Sequence, residues 1–217
     1  MAKLRYTHYR GYDLLCNEST YFRSLSMKKS EYNFLAHGHG QTAPWIDLVN
    51  SQEWDTFGRL TDHLNNPAWV PYFLRQWHFA TPSREPAPIV RLKTLRAALR
   101  KGSEALFHGK PIPSPELRAL NDVLNLRGKQ QLFQRQNGLR IEFVPDKSGW
   151  RRIHAAVARS FVETIADGQS ARVKICRNDD CRWVFYDQTK GKTRCWCSSK
   201  SCGNRERVRR ARARDNH

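Results

Sequence analysis

The chain lacks any stretch approaching the ~18 continuous apolar residues of a membrane span. Its opening, Met1-Ala2-Lys3-Leu4-Arg5-Tyr6, runs straight into polar sequence, unlike the apolar core of a signal peptide. A reducing cytoplasm is therefore the expected compartment. Catalytic groupings are missing as well. There is no acidic metal cluster, no His–Glu pair at metal spacing and no nucleophile motif, so an enzyme is not expected. No internal repeat or long low-complexity segment interrupts the 217 residues, which have room for one large or two modest domains. Acidic residues are few, 20 Asp and Glu against 38 Lys and Arg, for a formal net charge of +18. That basic balance points to polyanionic partners.

Cysteine is scarce until the end of the chain. Cys16 alone precedes position 176, and the other five fall within 27 residues. Cys176 with Cys181, and Cys197 with Cys202, form two pairs with four residues inside each. Paired thiolates at short spacing, with a long gap between pairs, suit one tetrahedral zinc. In a reducing compartment such cysteines are metal ligands rather than disulfides. Cys195 lies two residues before Cys197, so either could reach the metal. Cys197 is preferred because its gap to Cys202 mirrors the first pair, which leaves Cys195 on the opposite face of a strand. Four thiolates leave no open position for water, so the zinc is structural. It would supply on the order of 10 kcal/mol of folding free energy to a module too small for its own core. A His37-Gly38-His39-Gly40 stretch reads as a loop, because no partner ligand lies nearby.

An arginine run begins at the last cysteine. Residues 172–214 carry 14 Lys and Arg against 4 Asp and Glu. On a helix, Arg205, Arg209 and Arg212 share one face at i, i+4 and i+7, with Arg207, Arg210 and Arg214 flanking them. A helix this basic repels itself unless an anion neutralises it, and nucleic-acid phosphate is a fitting anion. Arginine also pairs bidentately with guanine, so some of these residues could read sequence.

The rest of the chain reads as mainly α. Helical spacing begins at Trp45. Asn66-Pro67 is an N-cap with Pro at the first helical position, followed by Val70, Phe73, Leu74 and Trp77, with Pro71 making the first turn irregular. A second helix starts near Pro88, with Ile89, Leu92, Leu95 and Leu99 inward and Gly102 as its stop. A third starts at Ser114-Pro115-Glu116 and carries Leu117, Leu120 and Leu124. Asn137-Gly138 predicts a two-residue hairpin turn between Gln131–Gln136 and Leu139–Val144, with Leu139, Ile141 and Phe143 on a half-buried face. A fourth helix spans about Gly149 to Asp167. From Ala171 the expected order is strand, first cysteine pair, strand over Trp183–Asp187, turn at Thr189–Lys192, returning strand Arg194–Cys197, second pair, and a helix from Gly203. That is a treble-clef-like finger ending in a basic helix. The expected organisation is thus an extension over 1–40, an α-rich domain with a small β-hairpin over 41–168, and the finger over 171–217.

Trp196-Cys197-Ser198 and Cys202-Gly203-Asn204-Arg205, with the first cysteine pair and Trp183-Val184-Phe185-Tyr186-Asp187, resemble the CGNR zinc finger. This finger lies at the C-terminus of a bacterial family of stress-induced transcription regulators. Ile46-Asp47-Leu48-Val49-Asn50 looks like the opening Asp-Phe-Val-Asn-Thr string of that family's N-terminal ABATE domain, and Leu95–Leu99 and Ala119–Asn121 resemble its later helices. The resemblance implies a sensing domain joined to a DNA-binding finger at the nucleoid. Arg194, Trp196, Lys200 and Asn204 join the six arginines as the candidate DNA-binding set. Trp45, Asp47, Asn50, Trp54, Arg96 and Asn121, polar or aromatic residues at family-like positions, are candidates for a pocket that binds a small effector. DNA regulators commonly read paired half-sites as homodimers, and a homodimer is the assembly that this generality suggests. The alternative is an RNA-binding zinc protein, in which Trp183 or Trp196 stacks on unpaired bases.

Overall fold

The structure is a computed structural model, and it describes residues 43–215 apart from 56–57, 83–84, 126–127, 136–137, 146–148 and 167. The 1–40 extension and its His-Gly-His stretch lie outside the described residues. Helix α1 (Pro44–Asn50) is short but central, with Trp45, Ile46, Leu48, Val49 and Asn50 all buried. A seven-residue helix has little intrinsic stability, so its packing holds it. The Trp45 indole meets Phe161 edge-on at 5.0 Å and donates through Nε1 to Thr164 Oγ1 at 2.9 Å.

A hairpin of β1 (Gln52–Trp54) and β2 (Leu60–Asp62) follows, then a 3-10 turn, His63–Asn65, capped by the Asp62 carboxylate. Helix α2 (Trp69–Gln76) begins two residues later than Asn66-Pro67 suggested. Asn66 instead turns the chain, its Oδ1 taking the Ala68 N–H, and Pro71 falls in the first helical turn, where a missing N–H costs nothing.

Helix α3 (Ile89–Phe107) runs through Gly102, which corrects the expected stop. A Cβ at Gly102 would lie 3.4 Å from the Phe161 ring, so this glycine serves close helix approach. The true stop is Gly109, at φ +66, where Lys110 N–H bonds Ala105 O at 2.8 Å and Gly109 N–H bonds Leu106 O at 3.0 Å. Helix α4 (Ser114–Leu124) starts where expected and buries Leu120, while Leu117 is 46 % exposed.

Strands β3 (Gly128–Arg135) and β4 (Gly138–Pro145) form the expected hairpin with Arg135 opposite Gly138. Gly138, at φ +109, is thus the first residue of β4 rather than a turn residue as Asn137-Gly138 predicted, and Asn137 lies outside the described residues. Leu139 is 63 % exposed rather than half-buried as expected, and the side chains of Ile141 and Phe143 lie outside the described residues. Helix α5 (Trp150–Ile165) returns to the core through Ile153, Val157, Ala158 and Phe161.

The last segment is a 3-10 turn (Ser170–Arg172), β5 (Val173–Ile175), β6 (Val184–Tyr186), a π-helical turn (Ser199–Gly203) and helix α6 (Asn204–Asp215). Strands β5 and β6 pair with each other, Ile175 opposite Val184. The expected return strand over Arg194–Cys197 is absent: side chains take up Arg194 N–H, Trp196 O and Cys197 O, and a single backbone bond, Arg177 N–H to Cys195 O, stands in place of a ladder. The described residues belong to one compact unit, with β5 packed on α3 and β6 on α1.

Candidate metal centre and nucleic-acid interface

The β5–β6 hairpin brings the first cysteine pair into one tight loop, where Cys176 N–H bonds Trp183 O and Cys181 N–H bonds Asn178 O. The second pair arrives through a loop held by Asp187. This carboxylate is fully buried and accepts from Thr189 N–H at 2.9 Å, Thr189 Oγ1 at 2.6 Å and Arg194 N–H at 2.9 Å. Burial alone would raise its pKa, but the Thr189 and Arg194 donors outweigh that and hold it below the usual carboxylate range. Arg194 continues the work: its guanidinium lies 4.8 Å over the Phe185 ring and donates to Trp196 O and Cys197 O. These bonds stand where the return strand was expected.

The four sulfurs of Cys176, Cys181, Cys197 and Cys202 all lie within 4.8 Å of one another and all four residues are buried. Cys197 Sγ is 3.6 Å from both Cys181 Sγ and Cys202 Sγ. Tetrahedral zinc with bonds of ~2.3 Å would separate its sulfurs by ~3.8 Å, so the donor set fits one structural zinc ion. Cys195 stands outside the cluster, half-buried, with its thiol on Thr193 O. Hydrogen bonds from Cys176, Cys181 and Cys197, joined by Arg205, hold the Cys202 thiol far below its ordinary range, the charged form that metal binding uses. Trp183 and Phe185 pack directly against the cysteines, with Trp196 partly buried beside them.

Helix α6 grows out of this centre. Ser198 Oγ accepts from Ser201 N–H at the head of the π-turn, so regular α-helix starts at Asn204, one residue later than expected. The candidate DNA-binding residues separate into two groups. Arg194 is committed to the loop, Trp196 to the metal cluster, and Arg205 donates through Nη2 to Cys202 Sγ at 3.1 Å. Lys200, Asn204, Arg207, Arg209, Arg210, Arg212 and Arg214 are exposed. Glu206, 9 % exposed, pairs with Arg209 and Arg210 at 2.8 Å each, a carboxylate role that sequence reasoning missed. Its i+3 and i+4 spacing to the two arginines was the available signal. Arg212 and Arg214 have no partner among the described residues. Asn204, Arg205, Val208, Arg209 and Arg212 line an open groove of about 340 Å³.

Five of the six effector candidates are engaged by neighbouring residues of the fold. Trp45 is in the core, and Asp47 takes the Trp77 Nε1–H at 2.6 Å. Asn50 bonds the backbone of Val184, while the Trp54 ring has the guanidinium groups of Arg100 and Arg182 over it. Arg96, 4 % exposed, forks onto Asp62 at 2.6 and 2.8 Å and reaches Ser51 Oγ. Burial would raise the Asp62 pKa, but this arginine brings it down to about 2. Asn121 is exposed on α4. The larger cavity, about 900 Å³, lies elsewhere, over Leu64, Val70, Leu74 and Trp150, and none of the six lines it. No helix among the described residues is long and apolar enough to cross a membrane.

No curated protein matches this chain. Residues 172–215 match the family model for the CGNR zinc finger, and residues 42–168 match the ABATE model, described as a putative stress-induced transcription regulator. Neither family is an enzyme type. With the second match covering more than half of the sequence, the chain belongs to the ABATE family and carries at its C-terminal side a CGNR finger whose four cysteines fit one structural zinc ion.

Proposed function

We propose that this protein is a transcription regulator that binds duplex DNA through α6, with the zinc centre as the mount that holds the helix. The supporting observation is the row of exposed arginines, Arg207, Arg209, Arg210, Arg212 and Arg214, rooted at the buried four-cysteine site. Arg212 and Arg214, unpaired among the described residues, meet phosphate or base edges, while Arg209 and Arg210 are oriented by Glu206. Arg205 serves the metal first, because its guanidinium lies on Cys202. The protein acts at the nucleoid, in the cytoplasm, as a homodimer on paired half-sites, and a small effector acts through the ABATE domain.

Selection of bound genomic fragments by the zinc-loaded protein, beside a Cys197→Ser control, tests this. An enriched motif bound only by the zinc-loaded wild type is the expected result, and a paired motif would carry the homodimer with it. Salt-sensitive binding to any polyanion without a motif would sink the sequence-reading part. The RNA alternative has less support, since Trp183, one of its two stacking rings, is 5 % exposed and packed on the cysteines. Single strands competing better than duplex would restore it. Effector control predicts that at least one compound in a metabolite panel raises the thermal midpoint.

A further inference from the structure

The finger is fastened to the ABATE domain by a buried contact at the outer backbone edge of β6. Trp183 O takes the Cys176 N–H and Asp187 N–H bonds Arg172 O, so residues 183, 185 and 187 of this segment face β5. By strand alternation Val184 turns its own N–H and C=O to the outer edge, where a third strand would pair. No strand is there among the described residues. The Asn50 side chain fills the place: Nδ2 donates to Val184 O at 2.8 Å and Oδ1 accepts from Val184 N–H at 2.9 Å. Both residues are buried, Asn50 at 3 % and Val184 at 0 % exposure. A carboxamide of this length is suited to the job because it donates and accepts side by side. Asp would lose the donor, and Leu would leave two buried backbone groups unpaired.

Two further contacts surround this pair. Arg100 on α3 donates to Arg182 O at 2.7 Å and to Val49 O at 3.2 Å, tying the first cysteine loop to the end of α1. Trp54 receives the Arg100 and Arg182 guanidiniums at 5.7 and 5.5 Å from its ring. Arg182 directly follows the ligand Cys181, and its backbone sits at φ +50, a conformation unusual outside glycine. The contacts therefore bear on the metal loop itself.

We propose that Asn50, supported by Arg100 and Trp54, is a positioning residue that fixes the direction in which the ABATE domain presents the zinc finger and α6. This rests on the DNA-binding reading above for its consequence, and on the Val184 edge for its geometry. Displacement of α1 would release the finger, which makes the clamp the route by which an event in the ABATE domain alters DNA binding.

The test uses full-length zinc-loaded protein, comparing wild type with Asn50→Leu and Trp54→Ala. Amide hydrogen exchange at Val184, ¹⁵N relaxation of both segments, zinc content and binding to the selected duplex are measured together. The clamp predicts a single tumbling time for both segments in wild type. In Asn50→Leu it predicts retained zinc, at least tenfold faster exchange at Val184, separate tumbling of the finger and about tenfold weaker duplex binding. A variant in which Val184 exchanges as before, or in which duplex binding is unchanged despite separate tumbling, overturns the proposal. Should Asn50→Leu fail to fold, Trp54→Ala carries the same readouts, and unchanged tumbling and binding there overturn it. Wild type that binds no duplex would instead defeat the DNA reading, while the exchange and tumbling results would still decide whether Asn50 holds the finger.

Discussion

Asp47 shows how a single residue's environment sets a measurable property. Its carboxyl is pushed up to about 7 by burial, with the Trp77 hydrogen bond pulling the other way. A native pKa above the unfolded value means the folded chain binds the extra proton between about pH 4 and pH 7. Stability from this group is therefore full below pH 4 and is lost as pH rises toward 7. Asp47→Asn removes the titration and keeps an acceptor for Trp77. The variant should gain stability relative to wild type as pH rises from 4 to 8, by about 2 kcal/mol, because Asp47 retains some contact with solvent. Parallel thermal melts across that range check it, and a constant difference would refute it. Asp187 gives the opposite case, a carboxylate that its donors require charged. Asp187→Asn turns one acceptor into a donor facing the Arg194 N–H. It should cost about 2–3 kcal/mol in the finger and speed zinc loss to a chelator at least tenfold.

Elements were legible where one physical signal dominated and shifted where two competed. Helix α3 shows the competition. Gly102 reads as a stop because glycine is a poor helix former, yet the helix continues because Phe161 occupies the space a side chain would need. Gly102→Leu should accordingly cost about 1–3 kcal/mol through overpacking, seen as a lower thermal midpoint with the same helical circular dichroism. A neutral result would mean Phe161 yields easily. The spacing of the four cysteines survived intact because metal geometry demands it, and so did the Asn50-containing α1 string. What sequence could not show is which side chain substitutes for a strand. Arg194–Cys197 alternates like a strand, but Asp187 and Arg194 satisfy that backbone locally, and the Asp187-Gln188-Thr189 turn signal was the clue. The effector candidates share this origin. Polar and aromatic residues at Asp47, Asn50, Trp54 and Arg96 were conspicuous because they hold buried backbone and charge, a pattern that resembles a ligand site in sequence.

At the scale of the whole molecule, metal and domain contacts are linked. The finger has few apolar residues of its own beyond those packed around the sulfurs, so its stability comes from zinc and from the α1 and α3 faces it covers. Removing zinc from the intact protein should then loosen both attachments at once. The four thiols lose their common centre, the Cys181–Arg182 loop relaxes, and the Trp54 ring loses the Arg182 guanidinium. The helices α1 to α5 keep a core of their own through Trp45, Leu99 and Phe161. Chelation should therefore reduce helical circular dichroism by no more than the contribution of α6, while tryptophan emission shifts to the red and Val184 exchange becomes fast. Restoring zinc should reverse all three changes. A complete collapse of helicity on chelation would show instead that the ABATE core depends on the finger as much as the finger depends on it.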